Sequence, residues 1–561
     1  MIALDSRAIN FLMRIGTVTL LTLLCALSTS LTFAQTAKIS LTFNTESKSV
    51  EARFQLSKAV DTLHFTGNGE IRLKTWTPLN GARLNDDGTA LIFPKEQNWV
   101  SVKLNPFERD GLMDRVYSPV ILFGDGRAAQ IYSEYLLPAD GGTVSLTTHG
   151  VVFGHTVAQG KTAWSTNDAA TYIVAGQTDT TEKNAYSITL DKELPAWIAH
   201  TLNEKVAALM NLYSKKFGSQ AKKRPWIVVS FDPNTPNKNA GFRGDTNPGM
   251  VRLNLMGHVW EQENTAQTTQ LISFLAHELF HLWNAEQWKI QREEPIWLFE
   301  GGADAAAQDA LRTLGIIDAE QYKNERTKSL IACSLAEGET LASKLNGRTH
   351  YTCGAAIFYL AAAMNSVTSN SAGPLDVWKS IFASSKTKTY GTADLLRVAG
   401  NHVSTSSDDT SVRQASQLKD LIESNLAWRA ALIHDQGKFH IHETQQGDEP
   451  NIVVARVLLD KLVIDRVDND CKGSTSISYR NQRYQIDALR SCQRIQSGIT
   501  LTHLGNFSMY ENAQQALAYA RDQCTKGMDL HFSDKNDVSL DLPCTQMPAL
   551  PQGLFVFNPE Y

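Results

Sequence analysis

No block of like charge runs through this sequence: 53 Lys and Arg stand against 58 Asp and Glu, a formal net charge of −5 over 561 residues. That balance offers nothing to the phosphates of nucleic acid or to an anionic lipid surface, so neither is expected as a partner. No Cys-x-x-Cys pair and no Cys/His cluster falls at zinc-finger spacing, which removes closed structural zinc modules. Internal repeats and low-complexity stretches are missing too, so solenoids and disordered tracts are not indicated. Past residue 34 no apolar run approaches the roughly 20 residues that span a bilayer, and stable membrane insertion of the mature chain is not expected.

What is present begins at the N-terminus. Arg7 and Arg14 precede an uncharged stretch, 15–31, and Thr32-Phe33-Ala34 closes it with a small residue. That is the order of an export signal cut near Ala34, with an uncleaved anchor as the alternative. Cys25 follows Leu24, where a lipid-modified signal has a small residue, so lipidation is not expected. The mature chain is expected in the periplasm or the medium. Beyond the signal lie Cys333, Cys353, Cys471, Cys492, Cys524 and Cys544, an even number that reads as disulfides in an exported chain. The sequence-adjacent pairs close loops of similar size, so Cys333–Cys353, Cys471–Cys492 and Cys524–Cys544 are expected, free buried thiols being the alternative.

With 42% hydrophobic residues at this length, more than one core is expected, and the fold class is multidomain α+β. Residues 35–190 alternate apolar and polar side chains, as in Ile39-Leu41-Phe43, between turn signals such as 84–89; they read as an N-terminal antiparallel β domain. A mixed region, 191–435, opens with a helical pattern that ends at Gly218 and a strand-like run after Pro225. Helical patterns then dominate from 268 to about 434, broken by polar loops at 368–374 and 404–411. The polar stretch 442–450 reads as a linker. Residues 450–561 form a small α+β module, with strand-like runs at 451–459, 498–505, 528–533 and 538–543 around one helical stretch, 511–524.

The chemistry concentrates in "AHELFH", residues 276–281. Residues 265–288 read as one helix without proline or glycine, which stacks His277 and His281 on one face, where two imidazoles can reach one zinc ion. Glu278 is turned roughly 100° away, beside a metal-bound water rather than on the metal, the place of a general base. Core histidines on an apolar helix are the bland alternative. A third ligand is available in the helical pattern 293–315: Glu300 follows His281 after residues 282–299, enough chain to turn and lay a second helix alongside. Two imidazoles and a carboxylate leave tetrahedral zinc one open position. Asp304, four residues after Glu300, shares its face and can accept from the ring N–H of His277 or His281, or be an exposed helix charge.

His277-Glu278-x-x-His281 followed by Glu300 within "WLFEGG" resembles the gluzincin metallopeptidases and their aminopeptidase N branch. "HELFHLWN", with Trp283 and Asn284, resembles the glycyl aminopeptidase family more closely, in which a Trp-Asn pair follows the second histidine. The resemblance implies an N-terminal β domain, a thermolysin-like, mostly helical catalytic domain, zinc on His277, His281 and Glu300, Glu278 as the catalytic glutamate, and Asn284 as a supporting residue. It is specific over roughly 265–365. It further implies a tyrosine that steadies the oxyanion, and Tyr351 with Gly354 matches, although Cys353 replaces the family's lysine; Tyr359 reads as core. The family's amine-binding glutamate has no match at Gly249-Met250-Val251, leaving Asp245, Glu261 or Glu263 as substitutes. The order of elements from 498 to 543 resembles the end of a PDZ domain, without a clear carboxylate-binding loop.

Three functions follow as expectations. The first is a zinc peptidase that acts on peptide or protein substrates, most simply an aminopeptidase. The second is an oligopeptidase or endopeptidase that needs no free amine. The third is a zinc-containing binding protein whose peptidase site is idle. Oligomeric state and side-chain preference have no signal in the sequence.

Overall fold

The structure is a computed structural model that describes residues 37–557 except 107–116, 147–162, 166–169, 223, 236–240, 336–348, 366–372, 401–417, 420–438, 443–449, 473–474, 481, 489–491, 535–537 and 549–553. The expected export signal, the loop 404–411 and almost all of the linker 442–450 lie outside the described residues.

Alternation builds the first region. In β1 (Ala37–Asn44), Ala37, Ile39, Leu41 and Phe43 are buried while the residues between them turn outward. β2 (Ser49–His64) pairs antiparallel with β1 and adds Val50, Ala52 and Phe54 to the same core, and β3 (Ala90–Leu104) continues the sheet. The strands that follow include β4 (Val120–Leu122), β5 (Ala128–Tyr132), β6 (Gly142–Leu146) and β7 (Tyr172–Gly176). β4, β5 and β7 make a separate antiparallel sheet, whereas β6 lies parallel to β1. The larger sheet is therefore mixed rather than wholly antiparallel; side chains alternate with period two in both kinds of strand, so the pattern could not tell them apart.

A five-stranded sheet carries the next region, built from β8 (Thr180–Glu182), β9 (Ser187–Leu190), β10 (Trp226–Asp232), β11 (Gly241–Asn247) and β12 (Met250–Met256) in the order β8-β9-β10-β12-β11. Residues 180–190 thus pair with the strands that follow them, although alternation had grouped them with the strands before; it marks a strand, not its sheet. α1 (Ala196–Phe217) and α2 (Thr265–His281) share one buried core with this sheet. Tyr213 of α1 donates to the Ala276 carbonyl of α2 at 3.0 Å and so fixes the height of the first histidine. Helices α3 (Ile296–Thr313), α4 (Ala319–Ser334), α5 (Thr349–Asn365), α6 (Pro374–Ser384) and α7 (Thr392–Gly400) complete the region.

The last region differs from its sequence reading at 451–459 and in an antiparallel hairpin, Thr475–Arg480 with Arg483–Ala488, that the reading did not contain. Residues 451–459 are not a strand but the first half of α8 (Ile452–Cys471), capped by Asn451, whose side chain accepts from Val453 N and Val454 N at 3.0 Å. Val454, Leu458 and Leu462 recur at helical spacing on its buried side, and the β-branched start Ile452-Val453-Val454 masks that period. α9 (Ala513–Thr525) packs with α8, and the strands Leu530–Ser533 and Ser539–Leu542 pair antiparallel beside it. The six cysteines pair as expected: Cys333–Cys353, Cys471–Cys492 and Cys524–Cys544. Among the described residues no helix is long and apolar enough to cross a membrane. The whole is the expected multidomain α+β architecture.

Candidate metal centre

α2 starts cleanly because the Asn264 side chain accepts from Gln267 N at 3.1 Å, and it brings His277, Glu278 and His281 to its buried C-terminal end. The expected helix to residue 288 stops at His281. Leu282–Gln287 forms a π-helical turn, a widening that side-chain periodicity does not signal. Through this turn Asn284 comes back onto His281, with Oδ1 2.8 Å from His281 Nδ1.

α3 lies against α2 and supplies Glu300. Three atoms converge: His277 Nε2 and His281 Nε2 are 3.0 Å apart, and Glu300 Oε2 is 3.1 Å from the first and 3.5 Å from the second. Four ligands set tetrahedrally around zinc at 2.0–2.1 Å are separated by about 3.3 Å. The triangle therefore has the size of one face of such a shell, and its two imidazoles and one carboxylate are the donor types zinc takes.

Each imidazole is held from behind. Asp304, on the same face of α3 as Glu300, accepts from His277 Nδ1 at 2.7 Å, although its side chain remains 42% exposed. The Asn284 Nδ2 group donates to the Phe299 carbonyl at 3.1 Å, which orients the amide so that its oxygen faces His281 and its partner Nδ1 carries the proton. Phe299 stacks on the His281 ring, 4.3 Å between centroids and 17° between planes, and the Tyr390 hydroxyl donates to the Asn284 carbonyl at 2.8 Å. With Nδ1–H engaged on both rings, two bare Nε2 lone pairs and a carboxylate oxygen point at one another, an arrangement that a proton or a metal cation must bridge.

The electrostatics follow from that crowding. Burial works against a charge on His277, but the carboxylates of Asp304 and Glu300 outweigh it and hold the imidazole well above its ordinary value. Burial also works to raise Glu300, and the hydrogen bonds and charges of the two imidazoles overcome it, keeping this carboxyl well below the usual range. Glu278 goes the other way: burial raises it, more than His277, His281 and Thr246 lower it.

Thr246 is the partner of Glu278 that sequence reasoning missed. It lies on β11, the outer strand of the five-stranded sheet, with Oγ1 2.7 Å from the Glu278 carbonyl oxygen and 2.8 Å from Oε2. Val251, where the family's amine-binding glutamate has no match, belongs to the inner strand β12 and is buried. The three substitute acids stand as follows. Asp245 is paired with Arg252 and Asn247, Glu261 bonds His258 Nδ1 at 2.6 Å on the surface, and Glu263 is exposed.

Tyr351 arrives with α5. Gly301 on α3 and Gly354 on α5 allow the two helices to touch: a Cβ on Gly354 would stand 2.2 Å from the Trp297 carbonyl oxygen, and one on Gly301 2.5 Å from Gly354 Cα. The crossing sets the half-buried Tyr351 ring 6.1 Å from that of His277. Tyr359, two turns on, is buried core.

A multidomain α+β fold that closes a paired-helix cluster of two histidines and a glutamate is the class of structure seen here. No protein-family model matches the chain, and no curated protein matches it. Among solved structures it is similar to the crystal structure of an aminopeptidase N family protein from Idiomarina loihiensis, with 12% identity, 93% of this chain and 98% of that chain covered, and a TM-score of 0.53. At that identity the likeness establishes a shared fold.

Proposed function

We propose that this protein is an exported, zinc-dependent peptidase in which His277, His281 and Glu300 hold the metal and Glu278 is the general base. The observation that carries the proposal is the 3.0, 3.1 and 3.5 Å triangle of donor atoms with a buried glutamate beside it. The name of the structural neighbour, an aminopeptidase N family protein, supports it, and the three disulfides support export. Bound to these ligands, zinc supplies Lewis acidity to a substrate carbonyl and acidifies water toward neutral pH.

The chain's own residues do the rest. Glu278, whose carboxyl burial raises above its ordinary value, takes a proton from the attacking water on a carboxylate oxygen and returns it to the departing amine. Thr246 suits both states of that carboxyl: its hydroxyl donates to Oε2 when Glu278 is ionised, and when Oε2 is protonated it accepts from it while donating to the Glu278 carbonyl. Asp304 and Asn284 keep both Nε2 lone pairs directed inward. Tyr351 donates its phenolic proton to the oxygen on which charge develops, a contribution of about 2.7 to 4 kcal/mol for such donors.

Hydrolysis of a mixed peptide library by the purified chain, followed by mass spectrometry, tests this. Cleavage is expected to vanish on chelation, return with zinc, and be absent from a Glu278→Gln variant that still holds zinc. Chelation-resistant cleavage, or full activity in the variant, would refute it.

A further inference from the structure

Tyr351 stands two residues before Cys353, whose sulfur is bonded to that of Cys333. The bond ties the last turn of α4 to the first two turns of α5, and both cysteines are fully buried. On the other side of α5, the Tyr351 and His350 carbonyl oxygens lie 2.7 Å from where a Cβ on Gly301 would stand, and Gly301 directly follows Glu300. The Tyr351 ring neighbours two imidazoles, with its centroid 4.4 Å from that of His350 and 6.1 Å from that of His277.

At Gly301 and Gly354 the helices α3 and α5 meet through backbone. Such a contact sets how close they lie, but it offers no side chain to resist rotation of α5 about its own axis. Two residues of an α-helix are about 200° apart around that axis, so Cys353 and Tyr351 project on nearly opposite sides. A turn of α5 that carried Cys353 away from α4 would therefore swing Tyr351 away from His277. The disulfide opposes that turn only if α4 is itself fixed, and α4 is gripped from two sides. Leu330 and Cys333 belong to the core that α2 and α3 share with the five-stranded sheet, whereas Ile331 and Leu335 belong to the core of the C-terminal region, with Val454 and Leu458 of α8. A close-packed helix wedged between two cores cannot shift in one without opening the other.

We infer that Cys333–Cys353 is a positioning bond for the oxyanion donor: it fixes the rotation of α5 against α4 and so aims the Tyr351 hydroxyl. Glu278 and the three ligands lie on α2 and α3 and do not depend on it. This inference rests on the peptidase reading and deepens it.

The test uses the full chain with meta-fluorotyrosine in place of Tyr351, whose fluorine NMR line reports the surroundings of that ring without turnover. Removing the bond with Cys333→Ser and Cys353→Ser is expected to shift or split the line. Removing Cys524–Cys544, which joins residues equally far apart in sequence, with Cys524→Ser and Cys544→Ser is expected to leave it in place. Should the first pair variant not fold, stepwise opening of the disulfides of the parent by a phosphine, with thiols located by peptide mapping, gives the same comparison. In kinetics, loss of Cys333–Cys353 is expected to lower kcat about tenfold or more with KM within about twofold and zinc content unchanged. On a Tyr351→Phe background the same loss is expected to cost less than about twofold, because the group being aimed is already gone. An unmoved line on opening Cys333–Cys353 overturns the inference, as does an equal shift on opening Cys524–Cys544, or a kcat loss as large on the Tyr351→Phe background as in the parent. Absence of hydrolysis by the unsubstituted protein counts against the peptidase reading, whereas the fluorine line decides the positioning by itself.

Discussion

Asp304 Oδ1 and His277 Nδ1 lie 2.7 Å apart, joining α3 to α2 between residues 27 positions apart in sequence. The carboxylate fixes the tautomer of the ring and raises its basicity, so its removal acts on the metal without touching it. Asp304→Ala is expected to weaken zinc binding by about 10- to 100-fold, as such supporting partners commonly do. Competition against a fluorescent chelator measures this, and an unchanged affinity would leave Asp304 as an ordinary surface charge.

Proton and metal compete for the same place, which sets a pH dependence. His277 is raised above its ordinary value of 6.5, so its contribution to the metal-free protein is complete below that pH and disappears as the pH rises through the folded value. Glu300 is lowered from 4.5, so its contribution is present above 4.5 and disappears as the pH falls through its folded value. Zinc must displace the His277 proton. Its apparent affinity is therefore expected to climb with pH up to the raised value of His277 and then level, as calorimetric titrations at about pH 6, 7 and 8 would record. A flat profile would speak against His277 as a ligand.

Thr246→Val keeps the volume but removes the hydroxyl that serves Glu278. The buried Oε2 then lacks a donor, at a cost of about 1–3 kcal/mol, and kcat is expected to fall about tenfold or more while zinc content is unchanged. Equal turnover in the variant would make the 2.8 Å contact incidental.

Gly354→Ala drives a methyl group into the Trp297 carbonyl, 2.2 Å from where its Cβ would lie. The α3–α5 crossing must open, which is expected to lower stability by about 1–3 kcal/mol and to move Tyr351 away from the ligands. A thermal melt and kcat, measured together, check both parts; an unshifted melting temperature would mean that the helices have slack at this crossing.

The convergence of these side chains was legible because a helix translates spacing into direction: His277 and His281 at i and i+4, and Glu300 and Asp304 at i and i+4, each name a face. The disulfide pairing was legible because loop closure favours near neighbours. Thr246, Phe299 and Tyr390 were not, because each reaches the site through a contact between elements that no local period encodes, and the π-helical turn at Leu282–Gln287 has no signature in side-chain polarity. The strand reading of 451–459 failed where a mostly apolar run, broken at Arg456, satisfied both periods at once, and its length within a capped helix of 20 residues decided the matter.

Zinc content of the full-length protein, determined by mass spectrometry after extensive dialysis, is the most direct measurement of whether two imidazoles and the Glu300 carboxylate hold one ion. Near-stoichiometric zinc in the unsubstituted chain, falling to trace in a folded Glu300→Ala variant, is the expected result. Zinc absent from both, or retained undiminished by the variant, would contradict it.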